Sequence, residues 1–372
     1  PPPPPFLMIR RPPRSTQVAG RRQRQMCIRD SPCVISYYAT LKIGAIAVMC
    51  NPQHTDRELL FQFQDSGATV LITMDLLANR MIALRPQTNL KQIIHTSFGD
   101  YLPLAASLLF RLFGGRKGLT TRVQPADNVY RWKNVLSTYS ANHRHTGIST
   151  DDVAMIQYTG GTTGVAKGVM LTHANLSFQT QQIDAWFPQF AGQDEIILGA
   201  LPFFHSFGLT CSMNNAIFAG WTNVLLPSPR PEKLLTAIRK YRPTFVPLVP
   251  TMYIALLNHP NIRKTSMTCI KGCFSGSAPL PLEVIRKFEG LTGAAISEGF
   301  GLTEAAPITH ANPFNGVRKV GSVGLPFPDT ECRIVDLENG TRDVPVGETG
   351  ELLIRGPQVM KGYWNNPQET AR

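Results

Sequence analysis

The residues most suggestive of chemistry are the eleven from Tyr158 to Gly168, YTGGTTGVAKG. Successive backbone N–H groups in a glycine-rich turn form a concavity that binds anions, and glycine lets that backbone approach a ligand closely. Gly160, Gly161 and Gly164 supply such a turn, Thr159, Thr162 and Thr163 add hydroxyl donors, and Lys167 adds a positive charge. The chemistry expected of this set is the clamping of phosphate. The P-loop pattern is excluded, because Lys167 follows Ala166 and precedes Gly168 where that pattern needs glycine, lysine and then serine or threonine. A plain surface turn is the competing reading. Two further places carry reactive side chains. Thr303 and Glu304 follow Gly301 and Leu302, and taken alone they read as a helix cap. His205 lies among Phe203, Phe204 and Phe207, where a lone histidine is ordinarily a core residue.

The elements that must position these residues follow from periodicity. VAMIQYT (153–159), EIILGALPFF (195–204), TNVLLP (222–227) and TFVPLVP (244–250) read as buried strands. Between them lie two helical patterns, THANLSFQTQQIDAWF, capped by Thr172, and RPEKLLTAIRKYRP, with Pro231 at its start and Pro243 as its stop. Alternation of this kind predicts a layered α/β architecture with a mainly parallel sheet. After about residue 315 the pattern changes to glycine- and proline-punctuated strands, ECRIVD and GELLIRG, without helices between them, which predicts a smaller β-rich unit. The expected organisation is a leader over 1–31, an α/β region over 32–314 and the beginning of the β-rich unit over 315–372.

With 372 residues and 43% hydrophobic composition, the chain can bury a sizeable core. A net charge of +12 raises the question of polyanionic partners. Half of that charge sits in residues 1–31, which hold seven arginines, no lysine and one acid in a proline-rich, aperiodic context. That segment reads as non-native sequence unable to fold by itself; a basic targeting or nucleic-acid-binding tail is the alternative. Nucleic acid is therefore not an expected partner of the rest. Seven scattered cysteines without a signal peptide point to a reduced, cytoplasmic compartment, and Cys269 with Cys273 lacks the companions of a zinc site. The segment 101–118, YLPLAASLLFRLFGGRKG, is too short to span a bilayer. It suits either a helix lying on the anionic inner face of a membrane or a core helix with a basic C-terminal end.

YTGGTTGVAKGV resembles the phosphate-loop signature of the adenylate-forming superfamily of acyl-CoA synthetases, in the form found in bacterial long-chain fatty acid:CoA ligases. Six further blocks resemble family blocks in family order: NPQHTDRELLFQFQDSGATVLI (51–72), LPFFHSFGLT (201–210), FSGSAPLP (274–281), EGFGLTEAAP (298–307), GSVGLPFP (321–328) and GELLIRGPQVMKGYWNNPQET (350–370). The resemblance runs from Cys33 to Arg372. It implies the large domain of the adenylate-forming fold, layered α/β sheets plus a distorted β-barrel. It also implies a two-step reaction: a carboxylate attacks the α-phosphate of ATP, releasing pyrophosphate, and the thiol of coenzyme A then displaces AMP.

By resemblance, Thr159, Gly160, Gly161, Thr162, Thr163, Gly164 and Lys167 hold the β- and γ-phosphates. Gly276, Ser277 and Ala278 line one side of the adenine, and Glu298, Gly299, Phe300 and Gly301 lie along the other. Phe300 stands where the family commonly has a stacking tyrosine and keeps the stacking face. Thr303 is implied to contact the α-phosphate, and Thr159 and Glu304 to serve Mg²⁺. His205 is implied to position the acyl carboxylate, which is already ionised at neutral pH and needs no base. Lys167, His205, Thr303 and Glu304 are thus the expected catalytic set. The implied partners are a fatty acid, ATP and CoA, with a homodimer and peripheral membrane contact through 101–118.

The ribose-binding aspartate and the lysine of the small C-terminal domain, both family features, do not occur before Arg372. The sequence is therefore read as a fragment, with weak ATP binding and little thioester formation expected of it. An adenylating ligase for a medium-chain or aryl acid, or one that loads a carrier protein, is the alternative within the superfamily. A non-catalytic basic module acting through 1–31 and 101–118 is the alternative outside it.

Overall fold

The computed structural model describes residues 31–102, 104–140, 147–159, 166–190, 194–226 and 228–372. The leader expected over 1–31 therefore lies, but for Ser31, outside the described residues. Among the described residues two compact units are present, one formed by 31–170 with Gly362–Arg372 and the other by Leu171–Lys361.

In the first unit, β1 (Ala47–Met49) lies parallel to the later strand β5 in the register Ala47↔Met155. Three further strands, β2 (Val70–Met74), β3 (Gln92–Thr96) and β4 (Val129–Arg131), form a separate parallel sheet. Helix α1 (Asp56–Ser66) buries Leu59 and Phe63 in a cluster with Met81, Leu84, Leu90 and Ile93. Its start is fixed by a capping box between Thr55 and Glu58, and Gly67 ends it in the left-handed conformation. Helix α2 (Leu104–Phe113) is the element expected within 101–118. Its apolar side faces outward, so the core-helix alternative does not hold. β5 (Val153–Thr159) matches the expected strand, and β6 (Lys167–Thr172) continues its sheet and pairs antiparallel with Gly362–Tyr363.

The second unit opens with α3 (His173–Trp186), where Thr172 and Asn175 exchange side-chain and backbone hydrogen bonds at 3.1 and 2.9 Å. Its main sheet contains β7 (Ile196–Gly199), β8 (Thr222–Leu225), β9 (Phe245–Leu248), β10 (Gly272–Ser275), β11 (Ile296–Gly301), β12 (Ile308–Ala311) and β13 (Leu325–Pro326). The order is β13-β12-β11-β10-β9-β7-β8. From β8 to β11 neighbours run parallel, and β12 and β13 add an antiparallel edge. The run 195–204, expected as one strand, is strand only over Ile196–Gly199. Pro202 has no N–H for a ladder, and its carbonyl instead accepts from the His205 N–H at 3.2 Å in a turn.

Alternation along the central strands divides the core, as a sheet covered on both faces requires. Leu198, Val246 and Cys273 face α4 (Pro231–Tyr241), α5 (Pro250–Leu257) and α6 (Leu282–Thr292), packing with Ile238, Tyr253 and Phe288. Their sequence neighbours Ile197, Phe245 and Phe274 point the other way, into an aromatic cluster with Phe187, Phe190 and Phe327. Pro231 opens α4, and Arg242 ends it in the left-handed region just before Pro243. The β-rich segment holds β14 (Glu331–Val335) and β15 (Glu351–Arg355), antiparallel from Glu331↔Arg355 to Val335↔Glu351. It is followed by one short helix, α7 (Pro367–Ala371), which the strand-only reading of that region did not include.

Candidate active site

In the second unit the parallel run β7-β9-β10-β11 sends all its C-terminal ends to one edge of the sheet. Ligands of open α/β sheets bind outside such ends. His205 follows β7, Gly276, Ser277 and Ala278 follow β10, and Glu298 to Gly301 form the last part of β11. Strand pairing puts Ser275 beside Glu298. A Cβ placed on Gly276 would lie 3.4 Å from the Phe207 ring and 3.6 Å from the Gly299 carbonyl oxygen, so the loop after β10 runs close against β11. Ser277 holds a φ of 72°, which is uncommon for a residue with a side chain. Ser277 and Ala278 are exposed beside this edge.

Phe300 is 38% exposed, and its ring lies 6.3 Å from that of His310 on β12. The chain then makes a tight turn over Thr303–Ala305 and returns as β12. Leu302 N–H donates to Pro307 O at 2.9 Å, and Ala306 takes the left-handed conformation. Thr303 and Glu304 are half-buried. The Thr303 hydroxyl lies 3.3 Å from that of Ser206, so the residue after His205 meets the residue before Glu304. The Glu304 carbonyl accepts from the Met360 N–H at 2.7 Å, which ties the turn to the β-rich segment of the same unit. Glu298 accepts from the Gly321 N–H at 3.3 Å through its carboxylate. His205 is exposed with its ring 4.8 Å from that of Phe204; the core reading of a lone histidine does not apply.

Among the described residues no three His, Cys, Asp or Glu side chains form a metal-binding group. Mg²⁺ bound with nucleotide needs only one or two protein carboxylates beside phosphates and water. A half-buried carboxylate held in a bonded turn, as at Glu304, fits that donor set.

The first unit carries the other predicted stretch. Thr159 ends β5 half-buried, while Gly160, Gly161, Thr162, Thr163 and Gly164 lie outside the described residues. Lys167 begins β6. Its Nζ lies 2.5 Å from Glu369 Oε2 and 5.2 Å from the centre of the Tyr363 ring. The bond from Lys167 and its charge hold the Glu369 carboxyl below its ordinary range. Glu369 is itself placed by α7, whose cap Asn366 accepts from the Glu369 N–H at 3.2 Å. Beside it, Trp364 N–H donates to Gly168 O at 2.7 Å. A Cβ on Gly168 would meet Ile156 at 2.9 Å and Trp364 at 3.2 Å. Tyr158 donates to Asp65 Oδ2 at 2.5 Å, and Trp364 Nε1 and Asn365 Nδ2 both donate to Asp65 O at 3.0 Å. Burial, with the Asp65 carboxylate second, raises the Tyr158 phenol well above its usual pKa. A cavity of about 320 Å³ adjoins this network, lined by Phe61, Asp65, Lys167, Trp364, Asn366 and Glu369.

Within its own unit, then, the structure brings His205, Gly276–Ala278, Glu298–Gly301, Thr303 and Glu304 to one sheet edge. Lys167 and Thr159 belong to the other unit. Glu369, Asp65, Trp364 and Ser206 carry no role in the sequence reading. Ser206 was open to discovery as the hydroxyl neighbour of His205. Glu369 was not, because it meets Lys167 across 202 positions of chain.

A partly exposed aromatic ring, a pair of hydroxyls and a carboxylate gather at the C-terminal edge of a parallel sheet, the edge at which open α/β sheets bind ligands. Residues 28–364 match the family described as AMP-binding enzyme, and the chain belongs to that family. It is 42% identical to a long-chain-fatty-acid–CoA ligase of Bacillus subtilis (strain 168), over 95% of this chain and 63% of that protein. It is 34% identical to the enzyme so named in Escherichia coli O6:H1, over 90% of this chain and 60% of that protein. Among solved structures it is similar to a long-chain-fatty-acid-CoA ligase from Archaeoglobus fulgidus (27% identity, TM-score 0.76, 91% of this chain and 63% of that one). It is equally similar to ATP-bound MatB from Rhodopseudomonas palustris (27%, TM-score 0.76, 91% and 60%). The fold is the α/β fold of the large N-terminal domain of these enzymes, and the chain spans 60–63% of the length of the relatives named.

Proposed function

We propose that this chain belongs to an ATP-dependent ligase that activates a long-chain fatty acid as its acyl-adenylate and passes the acyl group to the thiol of coenzyme A. The observation that carries the reading is the sheet edge where Phe300, the Gly276–Ala278 loop, the Thr303–Ser206 hydroxyl pair and Glu304 converge. The 42% identity to a ligase named for long-chain acids favours that acid class.

In this reading adenine stacks on Phe300 and is flanked by the backbone of Gly276, Ser277 and Ala278. Thr303, steadied by Ser206, donates to the α-phosphate. His205, exposed beside these hydroxyls, orients the acyl carboxylate for in-line attack. Catalysis here rests on bringing one anion to another and neutralising both, not on a protein nucleophile. Glu304 would hold Mg²⁺, which when bound would supply charge neutralisation for the phosphates. Residues Thr159 to Lys167 guide the departing pyrophosphate.

Binding of non-hydrolysable acyl-adenylate analogues, followed by calorimetry, tests the reading. The hexadecanoyl analogue should bind most tightly, the butanoyl and benzoyl analogues at least tenfold more weakly, and Phe300→Ala should weaken all three. A benzoyl analogue that binds as tightly as the hexadecanoyl one would overturn the acid class. Loss of every analogue's preference over AMP would overturn the adenylation site.

A further inference from the structure

Helix α2 is amphipathic in the wrong sense for a core element. Ordinarily the apolar stripe of a surface helix faces inward. Here Leu108 (61% exposed), Leu109 (58%), Leu112 (62%) and Phe113 (47%) face outward, on an arc that helical geometry makes continuous along the rod. The opposite side is the one that docks. A Cβ on Gly99 would lie 2.8 Å from the Phe110 ring, so Phe110 packs against the turn before the helix. Just before the helix, Tyr101 is anchored by its hydroxyl, which accepts from Trp132 Nε1 at 2.7 Å. Phe110 and the flank at Tyr101 hold the helix to its unit, while Leu108, Leu109, Leu112 and Phe113 stay exposed.

Within the segment itself the charge has one sign. From Tyr101 to Ala126 the sequence has no acid and four cations, Arg111, Arg116, Lys117 and Arg122. Arg116, Lys117 and Arg122 are exposed, as is Lys133 at the start of the next helix. The nearest preceding acid, Asp100, is buried and occupied by the Thr96 hydroxyl, the Ser97 N–H and Arg131. Leucines and a phenylalanine at the surface with cations just beyond the helix end are the chemistry of an interfacial helix on an anionic bilayer. A protein partner would require an acidic groove of matching shape; a lipid surface requires only the depth and the charge. Among the described residues no helix is long and apolar enough to cross a membrane, so the contact would be peripheral.

We infer that residues 104–122 form a docking face for an anionic lipid surface, with Leu108, Leu109, Leu112 and Phe113 entering the headgroup boundary and Arg116, Lys117 and Arg122 contacting acidic headgroups. The inference stands on this surface and not on the ligase reading, so either can fail alone.

Co-sedimentation of the 372-residue chain with phosphatidylcholine vesicles, with and without one quarter phosphatidylglycerol, tests it. Binding is expected to the anionic vesicles and to fall steeply as salt rises from 0.1 to 0.5 M. Each of Arg116→Gln and Lys117→Gln should weaken it about fivefold. Leu108→Ser with Leu112→Ser should abolish it. These leucines are more than half exposed, so the melting temperature should not change and folding is checked separately. Val317→Ser with Val346→Ser, at exposed apolar sites elsewhere, should leave binding intact. Equal binding to neutral and anionic vesicles, or binding that survives the leucine substitutions, would overturn the inference. So would a chain that ignores vesicles but forms a dimer lost on the same substitutions, which would make the face a protein contact.

Discussion

Gly301 sits where β11 gives way to the turn that carries Thr303 and Glu304, and it pairs with Ile308 just past a register shift at Phe300. A methyl group there has no room. It would press on the Pro307 carbonyl oxygen, lie 2.7 Å from the Pro307 carbonyl carbon and 3.0 Å from Ile308 Cα. All three neighbours are backbone, so no side chain can rotate away, and β12 must separate from β11. Overpacking of this kind costs about 1–3 kcal/mol. With the immobile neighbours found here the expectation is the upper part, about 2–3 kcal/mol, or roughly 5–10 °C in the melting of a unit of this size. The control is Gly290→Ala, inside α6, where a Cβ would meet nothing within 4 Å. That substitution should gain about 1 kcal/mol from helix propensity and raise the melting temperature. Calorimetric melting of the three proteins, with acyl-adenylate analogue binding on each, reads both consequences. Gly301→Ala should also lose about tenfold or more in analogue affinity, because the turn that moves holds Thr303 against Ser206. A Gly301→Ala protein that melts within 1 °C of the parent would refute the packing argument. One that melts low but binds normally would separate this turn from the nucleotide.

Glu369→Gln and Lys167→Met should each speed hydrogen exchange at the Trp364 N–H, which bonds to Gly168 O beside the ion pair, while exchange in β3 stays unchanged; equal rates in parent and variants would show that the pair anchors nothing. His310, buried against Thr309 at 2.9 Å, has its pKa held below the ordinary 6.5 by loss of hydration, so the folded state binds its proton less readily than the unfolded chain does. The resulting stability is fully present above about pH 6.5 and is lost as pH falls below it, and His310→Asn should flatten that part of the pH–melting curve.

Much of this fold could be read from the sequence because its elements carry their own punctuation. Thr172 and Asn175 cap α3, Pro231 opens α4, and VAMIQYT is a strand over all seven of its residues. The overlong reading of 195–204 came from hydrophobicity alone: Leu201 and Phe203 are buried, but in a turn shaped by Pro202 and not in the sheet. Order along the sheet was not readable at all. Inserting β9 between β7 and β10 depends on crossovers whose signal is spread over whole helices. The orientation of α2 was ambiguous for a physical reason, since a short apolar helix has the same pattern whether it covers a core or lies on a surface.

Lys167 shows how a motif residue can be recognised by type while its surroundings change what it does. Its ammonium group is bonded to Glu369 and lies over Tyr363, both of which follow it by almost two hundred residues or more. Gly168, next to it, is small because Ile156 and Trp364 leave no space for a side chain, a packing reason unconnected to phosphate. A phosphate drawing on Lys167 must therefore compete with a carboxylate already in contact. What the ammonium offers a nucleotide is the part of its charge that Glu369 does not cancel. The last two residues of YTGGTTGVAKG, Lys167 and Gly168, fasten β6 to Gly362–Arg372. The pair also makes the grip of that segment pH-sensitive in a definite direction. The bond and charge of Lys167 lower the Glu369 pKa, so the fastening holds at neutral pH and loosens as pH falls through that lowered value.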